Sequence, residues 1–278
     1  QRFPNAKVCF ACKGERFFNP VIKRCCKDSV PLSVASAIEA YVHRWLGVYE
    51  KIDHITFSSD FMAKQTEAFW DGRAFSWSKL RNPFDSRSFS ALTAYDPYGL
   101  YFGRIIGEKG VSLLLDAAHQ INGFPIKIVG GGPDLESLRA RAADEGLDNV
   151  EFLGPMWGDD LNSVLARARF VVVPSIWHEN FPYVINQAFA YGRPVIGSRR
   201  GGITELVDDG LRGMIFDPDR PAELASAINR LAQDDAAVQR MGSAAKQYSD
   251  LNFNDAVFLA ELDAAYRGGI DAHRRRRG

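Results

Sequence analysis

From Leu100 onward, short β-branched runs alternate with stretches of helical periodicity, and few folds accommodate that alternation. The runs cover 100–103, 126–129, 150–153, 170–173, 194–197 and 213–216. None shows the apolar/polar alternation of a strand with one wet face, so each predicts a strand buried on both sides of a parallel sheet. Between them, apolar residues recur at spacings of three and four, predicting helices near 109–122, 134–145, 158–168, 182–191 and 203–208. Three more helices are expected after Asp217-Pro218, at 221–233, 236–249 and about 254–267. This part is therefore expected to be a doubly wound α/β domain, in which ligands bind beyond the carboxyl ends of the strands.

Upstream the order is sparser. Residues 1–29 are irregular. Over 32–51, Val34, Ala37, Ile38, Tyr41, Val42, Trp45, Leu46 and Tyr49 mark an amphipathic helix. A run at 54–57 followed by Ser58-Ser59-Asp60 and a helical stretch to about Trp70 predicts a strand entering a capped helix, one half of a Rossmann-type unit. Residues 76–85 read as extended, and 86–98 as a polar, unperiodic boundary. His43 on the helix and His54 at the strand start have structural explanations.

Thirty-four basic side chains balance 34 acidic ones over 278 residues, which argues against a nucleic-acid binder. Only Arg274–Arg277 form a like-charge run, expected to be a solvated tail. No apolar run approaches the ~18 residues needed to cross a bilayer. The chain opens at Gln1 with neither Met nor a signal-peptide pattern, as expected of a chain that starts mid-protein. Cys9, Cys12, Cys25 and Cys26 are compatible with a structural zinc knuckle, with free thiols or with disulfides. Asp208-Asp209 and Asp217-Pro218-Asp219 read as a solvated loop and a strand-end turn, not as metal ligands.

Three predicted strand ends carry chemistry. After the first come Gly103, Arg104 and Lys109; a planar guanidinium and a mobile ammonium suit a diphosphate, although two surface cations would read alike. After the second come Gly130-Gly131-Gly132-Pro133, glycines that permit close approach of a ligand or simply make a tight turn, with Pro133 suited to a first helical position. After the fourth, Glu179 precedes a helix expected to start near Phe181, whose free N–H groups attract phosphate. A carboxylate there would face something neutral and donating, such as sugar hydroxyls, or would merely cap the helix.

Five segments in this order, from Gly103-Arg104 to Lys109-Gly110, Val129 to Pro133, Val150 to Gly154, Pro174 to Gly192, and Gly201 to Val207, resemble the donor-binding lobe of GT-B-fold, retaining glycosyltransferases of family 4. The resemblance implies a C-terminal nucleotide-sugar lobe over 97–253. It makes 1–96 the closing part of a Rossmann-like N-terminal, acceptor-side lobe with its linker, and 254–278 a tail helix packing back toward that lobe. It implies transfer from a nucleotide-diphosphate sugar of UDP or GDP type to a carbohydrate or lipid-linked acceptor, with retention and without a required cofactor or metal. Arg104 and Lys109 match the cations that hold the diphosphate and stabilise the leaving group. Glu179 matches the first glutamate of a pair seven residues apart, near the sugar. Asn180, Phe181 and Pro182 match the loop facing sugar and phosphate. Gly103, Gly131 and Gly132 match the glycine turns beside the donor, and Leu153 to Met156 the stretch lining the base pocket. The second glutamate is replaced by Gln187, which keeps an acceptor for the ribose hydroxyls and loses the charge, so a weaker or altered nucleotide preference is expected. The family's Gly-rich first loop and reaction-centre His are absent, and 96 residues fall short of the roughly 150 of such a lobe, so a chain cut short at its N-terminus is expected. A catalytically incomplete donor-binding module is the alternative. The implied setting is the cytoplasm or the inner face of a membrane, without nucleic acid.

Overall fold

The computed structural model describes residues 9–70, 74–91 and 94–278. The chain divides into two compact units, Gln1–Asn82 with Phe258–Gly278, and Pro83–Val257. In the first unit lie α1 (Asn19–Ile22), α2 (Val30–Trp45), β1 (Ile55–Phe57), α3 (Asp60–Phe69) and β2 (Trp77–Lys79). The Ser29 hydroxyl accepts from Leu32 N–H at the start of α2, and Ser59 accepts from Met62 N–H at the start of α3; each satisfies a donor that the helix itself leaves orphaned. β1 and β2 pair in parallel, and His54 bonds Ser76 Oγ at 2.8 Å and Ser78 Oγ at 2.9 Å, which ties the two segments together. Burial pushes its imidazole pKa down. An edge-to-face cluster joins Phe57, Trp70, Phe75 and Trp77.

The second unit continues with β3 (Gly99–Phe102), α4 (Val111–Ala118), β4 (Ile126–Val129), α5 (Leu135–Asp144), β5 (Val150–Gly154), α6 (Gly158–Arg167), β6 (Phe170–Val173), α7 (Tyr183–Ala190), β7 (Val195–Ser198), α8 (Ile203–Leu206), β8 (Gly213–Phe216), α9 (Pro221–Gln233) and α10 (Asp235–Asn252). A last helix, α11 (Asp255–Arg277), runs back into the first unit. The six strands form one parallel sheet in the order β5-β4-β3-β6-β7-β8. The order reverses between β3 and β6, the switch point at which such sheets open a crevice. Neighbouring residues of a strand face opposite layers: Phe170 and Val172 join one core with Leu114, Ile128 and Ile228, while Val171 and Val173 join the other with Leu100, Ile185 and Phe189. Burying each such side chain contributes about 1.5–3 kcal/mol.

Several local expectations change. Residues 83–91 pack with the second unit, because Ser86 N–H donates to Phe253 O at 2.9 Å and Ser86 Oγ to Asp250 at 2.7 Å. Lys109 lies in a 3-10 turn over Gly107–Lys109, and α4 starts only after left-handed Gly110. Pro133 is not the first helical residue, since α5 begins at Leu135. The arginine run is not a trailing tail: α11 continues through it, and Arg276 pairs with Asp53 at 3.0 Å. His273 also meets Asp53, at 2.8 Å. The zinc expectation finds no support; all four cysteines are free, and among the described residues no group of three or more His, Cys, Asp or Glu could hold a metal ion. Among them, too, no helix is long and apolar enough to cross a membrane.

Candidate active site

At the switch point a cleft of about 300 Å³ is lined by Gly103, Arg104, Lys109, Ser175, Glu179, Phe181, Pro182 and Tyr183. β3 delivers the first three and β6 the rest, so residues some 70 positions apart meet because their strands are neighbours. Lys109 Nζ lies 2.6 Å from Glu179 Oε1, with the lysine side chain 33% exposed and the carboxylate 12%. Ser175 Oγ donates to the same Oε1 at 2.7 Å. Arg104 is exposed, and among the described residues it forms no salt bridge. Its main chain is held where Tyr101 Oη donates to Arg104 O at 2.8 Å. Burial pushes the Tyr101 phenol well above its ordinary range, and the charge of Glu179 pushes the same way, so the phenol stays a donor.

The loops interlock through main-chain contacts. Ile176 and Trp177 N–H both donate to Glu108 O, joining the Glu179 loop to the Lys109 turn. Gly202 N–H donates to Glu179 O at 2.6 Å, and left-handed Gly201 (φ 54°) lies so close that a Cβ would collide with the same carbonyl. The glycine turn after β4 is equally constrained, since a Cβ on Gly130 or Gly132 would strike the carbonyls of Gly103 or Ile105. Those two glycines buttress the Arg104 loop; Gly131 has only Pro155 nearby. His178 belongs to the Glu179 loop, its imidazole pKa pushed down by burial and by the charge of Arg200.

α7 begins at Tyr183 with Pro182 at its cap, two residues later than Phe181, and its first turn borders the cleft. The family model for glycosyl transferases group 1 matches residues 85–248, more than half of the chain. The chain belongs to this family. A glycosyltransferase of Methanocaldococcus jannaschii is 31% identical over 152 residues, covering 55% of this chain and 43% of that protein. A glycogen synthase of Mycobacterium tuberculosis is 31% identical over 233 residues, covering 80% and 56%. The chain thus spans about half the length of the curated relatives it matches. Among solved structures, Anabaena HepE in complex with UDP-glucose superimposes with a TM-score of 0.67 at 26% identity, covering 76% of this chain and 63% of that one. The six-stranded unit therefore has the fold of the C-terminal lobe of a GT-B glycosyltransferase.

In this member of the family, the cleft wall brings together Gly103, Arg104, Lys109, Glu179, Phe181 and Pro182 from the residues singled out in the sequence. It does not include Gly131, Gly132, Leu153, Met156, Asn180 or Gln187. Leu153 and Met156 are partly buried against one core layer, Asn180 is exposed, and Gln187 is half-buried on α7. Ser175 and Tyr101 escaped sequence reasoning. The one available signal was that Ser175 stands four residues ahead of Glu179, directly after a strand.

Proposed function

We propose that the chain is a retaining, metal-independent family 4 glycosyltransferase that moves a sugar from a nucleotide diphosphate to a carbohydrate or lipid-linked acceptor. The observation that carries this reading is the convergence of Arg104, Lys109 and Glu179 in one cleft at the switch point. Arg104 and Lys109 take the diphosphate, whose negative charge grows as the glycosyl bond breaks; fixed cations stabilise that charge most in the transition state. Glu179 faces the sugar and accepts from its hydroxyls, while the amides at the start of α7 point at the phosphate side. Leu153 and Met156 border the nucleoside, and Gln187 accepts from the ribose. HepE, crystallised with UDP-glucose, supports a nucleotide sugar as donor. The setting that suits a lipid-linked acceptor is the inner face of a membrane.

Calorimetry with UDP-glucose and GDP-mannose on the wild type and on Arg104→Ala/Lys109→Ala tests the site. Losing two charge-assisted hydrogen bonds costs about 3 kcal/mol or more, a fall in affinity of about a hundredfold or greater. Unchanged affinity would sink the assignment, and an inverted product anomer by NMR would sink retention.

A second reading, a donor-binding module that needs a separate acceptor-side lobe, is favoured by one observation. The first unit buries only Ala37, Ala63 and Ala265 among its described apolar side chains, so it reads as the closing part of a larger lobe to which α11 returns. Sugar transfer catalysed by this chain alone eliminates that reading.

A further inference from the structure

Glu179 Oε1 accepts from two donors of opposite character. Lys109 Nζ, 2.6 Å away, ends a flexible side chain rooted in a 3-10 turn, and it is one-third exposed. A bound diphosphate, with more negative charge than one carboxylate, competes for that ammonium. Ser175 Oγ, 2.7 Å away, belongs to a residue only 2% exposed. Its main chain leaves β6 after a single proline, and its carbonyl accepts from Ser198 Oγ at 2.5 Å. Ser198 ends β7 and is fully buried, so the main chain that carries the Ser175 hydroxyl is fastened to two adjacent strands.

We propose that Ser175 is a positioning residue that keeps Glu179 aimed at the donor sugar once Lys109 has left it for the diphosphate. The proposal rests on the donor-site reading above. In the structure Lys109 and Glu179 neutralise each other. As the donor enters, the ammonium passes to phosphate and the carboxylate is freed for sugar hydroxyls. A carboxylate released in this way would swing among rotamers unless a second donor held it, and an ionised carboxylate can only accept, so the Ser175 O–H must do the donating. One oxygen stays tied to the sheet while Oε2 remains for substrate.

The test compares UDP, which lacks the sugar, with UDP-glucose. Ser175→Ala should bind UDP as the wild type does, yet bind UDP-glucose about tenfold more weakly or turn it over about tenfold more slowly. Ser175→Thr, which restores the hydroxyl, should recover most of that loss. In a Glu179→Ala background the additional effect of Ser175→Ala should vanish. Equal losses for UDP and UDP-glucose, wild-type behaviour of Ser175→Ala, or an undiminished effect without Glu179 would overturn the proposal. A wild type that binds neither UDP nor UDP-glucose would instead overturn the donor-site reading beneath it. Should Ser175→Ala fail to fold, Ser198→Ala loosens the same main chain while keeping the hydroxyl, and it must show the same split between UDP and UDP-glucose.

Discussion

The two units differ less in their elements than in what those elements cover. Both set parallel strands against helices, but six strands in the second unit separate two continuous apolar layers, whereas two strands in the first leave many of its large apolar side chains exposed and bury none of the described ones fully. Phe18, Ile22, Ile38 and Trp45 are exposed there, Trp45 at 84%. A parallel sheet is stable when helices cover both faces. The second unit meets that condition with its own residues and can hold a rigid cleft, while the first is held by local devices such as the serine caps, His54 and the aromatic cluster.

The sharpest way to break this contrast is a pair of truncations measured by urea unfolding. Phe170→Ala, in the fully buried centre of the sheet, should cost about 3–5 kcal/mol. Trp45→Ala, nominally the larger deletion, should change stability by about 0.5 kcal/mol or less; a cost near that of Phe170→Ala would show that its face is covered in solution. Next in size is Gly201→Ala, which adds a side chain at φ 54° against the Glu179 carbonyl. It should cost about 1–3 kcal/mol and weaken UDP-glucose binding, both readable by thermal shift with and without the ligand. Gln187→Glu should strengthen UDP binding about fivefold by restoring a charged acceptor, and calorimetry decides it.

The smallest effect concerns pH and the first unit. Burial holds the His54 pKa below its ordinary value, so the folded state prefers the neutral ring. The unfolded chain therefore takes up the proton first as pH falls. Stability is complete above the ordinary histidine pKa of about 6.5 and declines as pH drops toward the folded value. The urea midpoint of the wild type should be lower at about pH 5.5 than at about pH 7.5, and the drop should be smaller in His54→Gln, which lacks the titration.

How much of this was legible in the sequence follows the same division. The strands at 126–129, 170–173 and 213–216 have the same limits in the structure, because short, mostly apolar runs between helical stretches are what a parallel sheet covered on both faces requires. Arg104, Lys109 and Glu179 were legible as residues at strand ends, but not as a pair 2.6 Å apart, since sequence does not give strand order. Ser175 was hidden because its one signal, a place four residues ahead of Glu179 and one proline past a strand, is shared by many loop serines with no partner. The triple glycine was open to a ligand's close approach or to a tight turn, and at Gly130 and Gly132 the neighbouring carbonyls supply a packing reason for the turn. The arginine run is exposed, as expected, but composition does not show that it is helical or that Arg276 and His273 meet Asp53 across most of the chain's length.

That return of α11 has a consequence for biosynthesis. Residues 258–278 complete the unit that residues 1–82 begin, with Arg81 bonded to Glu261 at 2.6 Å. Chains generally fold domain by domain as they leave the ribosome, the earliest segment first. Here the middle of the chain can close into its finished shape while the beginning still waits for its last helix, so vectorial synthesis completes the two units in reverse order.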